Sequence, residues 1–211
     1  MHTVSSLARA CKGFMVKPPK GRDMIPSDGY AMAMGVFTSN GYGAVTDGMV
    51  AVRTPVACQE DGWWSPDGRR IRDDVDLVLK EIGRLLDGVA WRHSVPVRRA
   101  DLRAFCEAVV KLADGAKDDD AFYLITINLA TGEIRYSMAP YTLVQHVHGL
   151  ALPPSAGIEP FTVTLDARLV LHALAPLKGS VVRMEFTKHQ LGPVVFRGDA
   201  LTCAIVAAVR V

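Results

Sequence analysis

The chain has 211 residues, of which 49% are hydrophobic and 22% charged, and its formal net charge is +2. That length supports one large domain or two small ones with a sizeable core, in an ordinary globular composition. A balance this close to neutral excludes a uniformly basic polyanion binder, so affinity for nucleic acid would have to come from local clusters of cations. No apolar run approaches the ~20 residues that span a bilayer, so no membrane segment is expected. The opening "MHTVSSLARACKG" lacks the apolar core of a secretory leader, which points to a cytoplasmic location.

Residues 4–15 place Leu7, Ala8, Cys11, Phe14 and Met15 at helical spacing, with Ser5, Arg9 and Lys12 opposite. The first 22 residues hold Arg9, Lys12, Lys17, Lys20 and Arg22 and no acid; this is either a binding surface or an ordinary solvated end. Next, "VKPPKGRDMIPSDG" has the prolines, glycines and mixed charge of a loop. "YAMAMGVF" predicts a strand, and Asn40-Gly41 in "TSNG" is the strongest hairpin signal in the chain. "YGAVT" and "MVAVRTPV" predict strands around a second turn at Asp47-Gly48. Residues 1–56 therefore read as a helix followed by three antiparallel strands.

Residues 57–92 read as a connector containing one helix, because Val75, Val78, Leu79, Ile82, Leu85 and Leu86 share an amphipathic period. Trp63 and Trp64 are expected to cover an interface or the edge of the core. In residues 93–152, "HSVPV" predicts a strand and "RRADLRAFCEAVVKLADG" a helix with Asp101 in its first turn. A hairpin turning at Thr131-Gly132 and a strand in "TLVQHVHGLAL" follow, and "PPSAG" is a linker. In residues 159–211, "PFTVTL" predicts a strand and "DARLVLHALAPLKG" a helix, N-capped at or near Asp166 and closed by Gly179. "SVVRMEF", "GPVVFRG" and "LTCAIVAAVRV" predict three more strands. A strand–helix–three-strand unit thus appears twice in full and once, at the N-terminus, with its first strand unclear. The fold class is α+β, with antiparallel sheets and helices on one face. The chain divides into residues 1–92, one unit plus connector, and residues 93–211, a domain of two units.

Of the cysteines, Cys11 and Cys106 lie on apolar helix faces and Cys203 in an apolar strand; with no CxxC pairing in the chain, these three read as small core residues. There is no GxSxG, P-loop, HExxH or GxGxxG motif, and no catalytic residue or cofactor is nominated. His146 and His148 alternate along a predicted strand and would share a face, but no third ligand completes a metal site. Asp118, Asp119 and Asp120 read as a solvated acidic loop.

The repeat and several strings resemble the bacterial sliding clamp family, the β subunit of DNA polymerase III. "FTVTLDARLVLHALAPLKGSVVRMEFT" is similar to the start of that family's last repeat, and "CAIVAAVRV" to its terminal strand. "YGAVTDGMVAVRTPV" is similar to its TDG hairpin, and "KGRDMIPSDGYAMAMGVF" to the loop and strand before it. "GRRIRDDVDLVL" is faintly similar to an interdomain linker, without its aromatic and prolines. The resemblance implies a non-enzymatic replication accessory protein, a homo-oligomer that surrounds duplex DNA and tethers a DNA polymerase or clamp-loader-like protein through short peptides. It implies DNA contacts from Arg9, Lys12, Lys20, Arg22, Arg98, Arg99, Arg103, Lys111 and Arg168, with His172 one turn beyond Arg168 on the outward face. It also implies a peptide cleft between Thr46, Gly48, Met49 and Val50 and the segment Ala207, Ala208, Val209 and Arg210, with the two alanines in place of larger residues. The family's rings contain twelve units, whereas three are counted here. A clamp-fold binding or regulatory module that forms no ring is the alternative.

Overall fold

The computed structural model describes residues 1–13, 15, 35–58, 60–72, 82–86, 93–116, 122–153, 159–199 and 202–209. Among them are three labelled helices, α1 (Val4–Ala10), α2 (Arg99–Gly115) and α3 (Ala167–Leu174). The strands are β1 (Val36–Ser39), β2 (Tyr42–Thr46), β3 (Val50–Pro55), β4 (Gly62–Trp64), β5 (Arg70–Arg72), β6 (His93–Arg98), β7 (Leu124–Asn128), β8 (Glu133–Met138), β9 (Tyr141–His146), β10 (Thr162–Asp166), β11 (Val181–Phe186), β12 (Val194–Arg197) and β13 (Cys203–Val206). They form a nine-stranded sheet in the order β5-β4-β1-β2-β3-β13-β12-β11-β6 and a four-stranded sheet in the order β10-β7-β8-β9. The strand ladders within both sheets are antiparallel.

Local chemistry sets the element ends. The Thr3 hydroxyl accepts from the Ser6 amide at 3.1 Å while the Ser6 hydroxyl accepts from the Thr3 amide at 2.8 Å, a capping box that starts α1. The helix stops at Ala10, shorter than the predicted 4–15. Asn40 and Gly41 have φ of 51° and 75°, the paired positive angles of a two-residue hairpin turn joining β1 to β2. The third hairpin is wider than its Thr131-Gly132 signal suggests. Asn128 pairs with Glu133, and the Asn128 carboxamide oxygen accepts from the Ala130 and Thr131 amides across the four-residue loop. Asp166 caps α3 by accepting from the Arg168 amide at 2.8 Å. That helix ends at Leu174, before the predicted Gly179, because Pro176 has no N–H to continue it.

The second half is built by exchange. β6, the first strand of one repeat, pairs with β11 of the other, and β10, the first strand of the other, pairs with β7. Each repeat therefore completes its partner's sheet. Leu102, Cys106 and Val109 of α2 and Val170, Ala173 and Leu174 of α3 are buried in one core with Val95, Ile125, Ile134, Tyr136, Val182, Met184 and Phe186. Burial pushes the Cys11 and Cys106 thiols up to about 12, in keeping with their positions in the core.

The N-terminal unit joins this domain through backbone pairing of β3 with β13, in the register Arg53↔Cys203, Val52↔Ala204, Ala51↔Ile205 and Val50↔Val206. One residue beyond, the buried Thr54 and Thr202 hydroxyls hydrogen-bond to each other at 2.8 Å. Residues 57–92 are more than a connector, since β4 and β5 extend the large sheet past β1. Trp63 is buried and stacks on Phe37 at 6.0 Å between ring centroids, while the Trp64 indole N–H donates to the Thr38 hydroxyl at 2.7 Å. A Cβ on Gly35 would lie 2.1 Å from the Trp63 indole nitrogen, so only glycine fits beneath that ring. Of the predicted connector helix, residues 82–86 are described and helical. Ile82 and Leu86 are buried on the opposite face of the large sheet from the main core, against Ala44 of β2, Ala51 of β3 and Val195 of β12. The segment thereby crosses the β3–β13 junction on its outer side. The remainder of that predicted helix, the strand start at 30–34 and the acidic loop at 118–120 lie outside the described residues.

Replacing Thr54 with Val leaves the Thr202 hydroxyl buried without its partner and is expected to cost about 1–3 kcal/mol in urea unfolding. The double replacement Thr54→Val with Thr202→Val is expected to recover part of that loss, because the orphaned hydroxyl is gone. Additive losses in the double variant would show that the pair is not coupled.

Candidate functional site

The turn between β2 and β3 is organised by two side chains. The Asp47 carboxylate accepts from the Met49 amide at 2.8 Å and the Val50 amide at 2.7 Å. The Thr46 hydroxyl donates to the Val50 carbonyl at 2.9 Å and accepts from the Gly48 amide at 3.0 Å. Gly48 sits at φ of 90°, which L side chains rarely adopt. These bonds consume the local polar groups and leave Met49 projecting, 46% exposed, while Val50 is buried.

The C-terminal segment lies directly against this turn. After β13 the Ala207 amide donates to the Met49 carbonyl at 2.9 Å. The Val209 amide then donates to the Thr164 carbonyl of β10, also at 2.9 Å. Residues 207–209 therefore leave the sheet and run between the hairpin turn and β10, half-buried, with Ala208 packed on the main core. Thr46, Gly48, Met49, Val50, Ala207, Ala208 and Val209, predicted from two distant stretches, are neighbours; Arg210 lies outside the described residues.

His172 was expected to face outward beside Arg168 and does not. It is half-buried, and a Cβ on Gly13 would lie 2.7 Å from its Cδ2, so the chain leaving α1 presses onto the imidazole. Burial holds its pKa below the ordinary 6.5, with Asp47 and Asp166 pulling weakly the other way. His172 thus links α1, α3 and the hairpin, a role that helical periodicity alone could not reveal.

Arg9, Lys12, Arg98, Arg103, Lys111 and Arg168 are exposed, and Arg99 is half-buried. Arg99, Arg103 and Arg168 have partners within the fold. The Arg99 guanidinium donates to the Leu174 carbonyl at 3.2 Å, satisfying the end of α3. Arg168 binds Asp166 at 2.6 Å and lies 3.8 Å over the Tyr123 ring, whose hydroxyl donates to Asp114 at 2.7 Å. Lys20 and Arg22 lie outside the described residues. Along α2, Arg99, Arg103 and Lys111 are matched by Asp101, Glu107 and Asp114, and Arg103 reaches Glu107 at 2.8 Å.

His146 ends β9, 3.4 Å from Glu133, whereas His148 falls in the turn after the strand, so the two do not share a strand face. Among the described residues no group of three or more His, Cys, Asp or Glu is placed to hold a metal ion, and no helix is long and apolar enough to cross a membrane.

No family model matches the sequence, and no curated protein is significantly similar to it. The fold has clear counterparts among solved structures. The DNA polymerase III beta subunit of Thermotoga maritima matches with a TM-score of 0.63 at 12% identity, over 100% of this chain and 65% of its own. The DNA polymerase sliding clamp of Bacillus subtilis matches with a TM-score of 0.66 at 12% identity, over 99% of this chain and 63% of its own. This chain has the sliding-clamp fold. The sliding clamp of Bartonella birtlesii, solved bound to griselimycin, matches with a TM-score of 0.64 at 12% identity, over 99% of this chain and 65% of its own. The chain therefore spans somewhat under two thirds of the length of these clamps. In clamp terms, the expected repeat architecture is present, the TDG turn of the clamp-like hairpin is at 46–48, and the terminal segment lies beside it.

The half-buried imidazole is expected to make stability depend on pH. An unfolded chain takes up a proton on His172 near pH 6.5, while the folded chain resists until lower pH. Stability should therefore fall as pH drops below 6.5, with His2, whose pKa burial also lowers, acting in the same direction. His172→Gln is expected to flatten the slope of unfolding free energy between pH 7 and 5. An unchanged slope would show that His172 is not responsible.

Proposed function

We propose that the chain is a sliding-clamp-like DNA replication accessory protein, a non-enzymatic processivity factor acting in the cytoplasm. It contacts duplex DNA without reading sequence and holds a DNA polymerase or clamp-loader-like protein through short peptides. The observation that carries this reading is a clamp fold extending over the whole chain, with 98–100% of it matched in eight solved structures. The peptide site is assigned to Thr46, Gly48, Met49 and Val50 with Ala207, Ala208, Val209 and Arg210. Support comes from the Ala207–Met49 backbone bond and the exposed thioether of Met49, a flexible apolar contact for a partner side chain. The small Ala207 and Ala208 favour a shallow seat. In this reading residues 1–92 are one clamp-like unit with its extended connector, and residues 93–211 are a complete two-unit domain.

The DNA contacts are assigned to Arg9, Lys12, Arg98, Arg103 and Lys111, together with Lys20 and Arg22, which lie outside the described residues. Arg99 and Arg168 would serve mainly by placing α3. A specific observation favours the second reading, a clamp-fold binding module without a DNA ring: α2 carries as many acids as cations, and Arg168 is neutralised by Asp166. Both features weaken the positive lining that phosphate binding needs.

Duplex DNA titrated at several salt concentrations separates the two. The first reading predicts an affinity that falls linearly with log salt, is independent of sequence, and drops in Arg9→Ala/Lys12→Ala and Arg98→Ala/Arg103→Ala, each lost phosphate contact lowering the slope by about 1. Absence of binding at low salt would favour the ring-free module.

A further inference from the structure

The nine-stranded sheet carries a row of arginines on the face turned away from the helices. In β11, Val182, Met184 and Phe186 enter the main core, so Val181, Arg183 and Glu185 face outward. In β12, Val194 and Phe196 enter it, which turns Val195 and Arg197 outward. In β3, Val50 and Val52 enter it, which turns Ala51 and Arg53 outward. The register sets Arg183 opposite Arg197, Arg197 opposite Cys203 and Cys203 opposite Arg53. Three arginines thus share one line across four strands, about 14 Å long at the usual strand spacing.

Like charges directly opposed on neighbouring strands are destabilising, yet Arg183 and Arg197 are placed that way. Glu185 offsets them in part, accepting from Arg197 Nε at 2.7 Å. The Arg53 guanidinium lies 5.0 Å over the Tyr42 ring. Arg183 is exposed, and among the described residues it has no hydrogen-bond or ion-pair partner for its side chain. Beside it, Val181 is 48% exposed, and Pro96 of β6 stands opposite it in register. The 82–86 segment borders the row. Its Ile82 and Leu86 pack against Val195 and Ala51, one row over, and a Cβ on Gly83 would lie 3.6 Å from Arg53 Nη1. The arginines therefore run along a ledge with a wall on one side.

We infer that this row is a docking ledge for an acidic segment of a partner protein, laid across the strands in extended form. An extended segment turns alternate side chains to one face about 6.7 Å apart, so acids at alternate positions meet successive arginines of the row. Guanidinium groups bind carboxylates through paired N–H donors. Carboxylates supplied there relieve the repulsion between Arg183 and Arg197, which one glutamate offsets only in part. A single nucleic-acid strand would need aromatic platforms for its bases, whereas the ring at this row, Tyr42, already lies beneath Arg53. Val181 and Pro96 add apolar contact at the Arg183 end. This rests on the strand register and not on the proposed function.

Fluorescence anisotropy of a labelled octapeptide alternating glutamate and serine tests it, with the glutamine–serine octapeptide as control. The full chain is expected to bind the acidic peptide at low salt and not the control. Arg183→Glu, at an exposed position, is expected to weaken that binding at least about tenfold. Arg183→Gln should weaken it less and raise the midpoint of thermal unfolding, because the opposed like charges are gone. Arg135→Glu, an exposed change of the same charge on the four-stranded sheet, should leave binding unchanged. Thermal unfolding of each variant checks that the fold is kept. No binding at low salt, equal binding of the control peptide, equal losses in Arg183→Glu and Arg135→Glu, or a lower midpoint in Arg183→Gln would each overturn the proposal. So would a single-stranded oligothymidine that binds through Arg183 more tightly than the acidic peptide. Duplex DNA binding, measured separately, would survive its failure.

Discussion

The structure depends on one antiparallel pairing, that of β3 with β13. The two strands lie about 150 residues apart in the chain, yet their backbones form a continuous ladder with a buried threonine pair at one end. Without it there would be two separate sheets and no reason for the hairpin turn to meet the C-terminal segment. With it, Met49 and Ala207 come within hydrogen-bonding distance, and the chain beyond β13 is directed across to β10. The candidate peptide site is thus a by-product of sheet continuity. A long-range β pairing of this kind is costly in chain entropy, and the fold offsets it from both faces.

On the inner face, Val50, Val52, Ala204 and Val206 lie in the same core as the helices. On the outer face, Ile82 and Leu86 pack against Ala44, Ala51 and Val195, strands on both sides of the junction. This apolar strap covers the joint between β3 and β13, while β4 and β5 of the same 57–92 segment extend the large sheet at its far edge, beyond β1. Electrostatics follow a similar economy, because Arg99 and Arg168, which seemed available for an external ligand, stabilise the ends of α3.

Much of this was legible in the sequence, for identifiable reasons. Asn40-Gly41 admits the positive φ values of a tight hairpin, and Asp166 supplies a cap that few other residues could. The strand expected in "SVVRMEF" became β11, whose buried Val182, Met184 and Phe186 alternate with Arg183 and Glu185, and the periodicity of α2 matched its buried Leu102, Cys106, Val109 and Ala113. The less legible features were set by tertiary contacts. Gly62–Trp64 is too short for a periodic signal, and becomes a strand because β1 has an open edge beside it. His172 sits on a polar helix position but is covered by the chain after α1, where glycine at position 13 allows the approach. His146 and His148 alternate in sequence, yet the strand ends between them. The site residues were placed by family resemblance and brought together by the β3–β13 register, which no local pattern encodes.

Native-state hydrogen exchange of the β3 and β13 amides tests this account most directly. If their pairing unites the three units, the bonded amides of Val50–Arg53 and Cys203–Val206 should open together, with protection close to that of the β6–β11 ladder in the same sheet. Protection lost in β3 and β13 while the β6–β11 ladder remains closed would show that the N-terminal unit detaches on its own. In that case the hairpin and the C-terminal segment would not form a standing site.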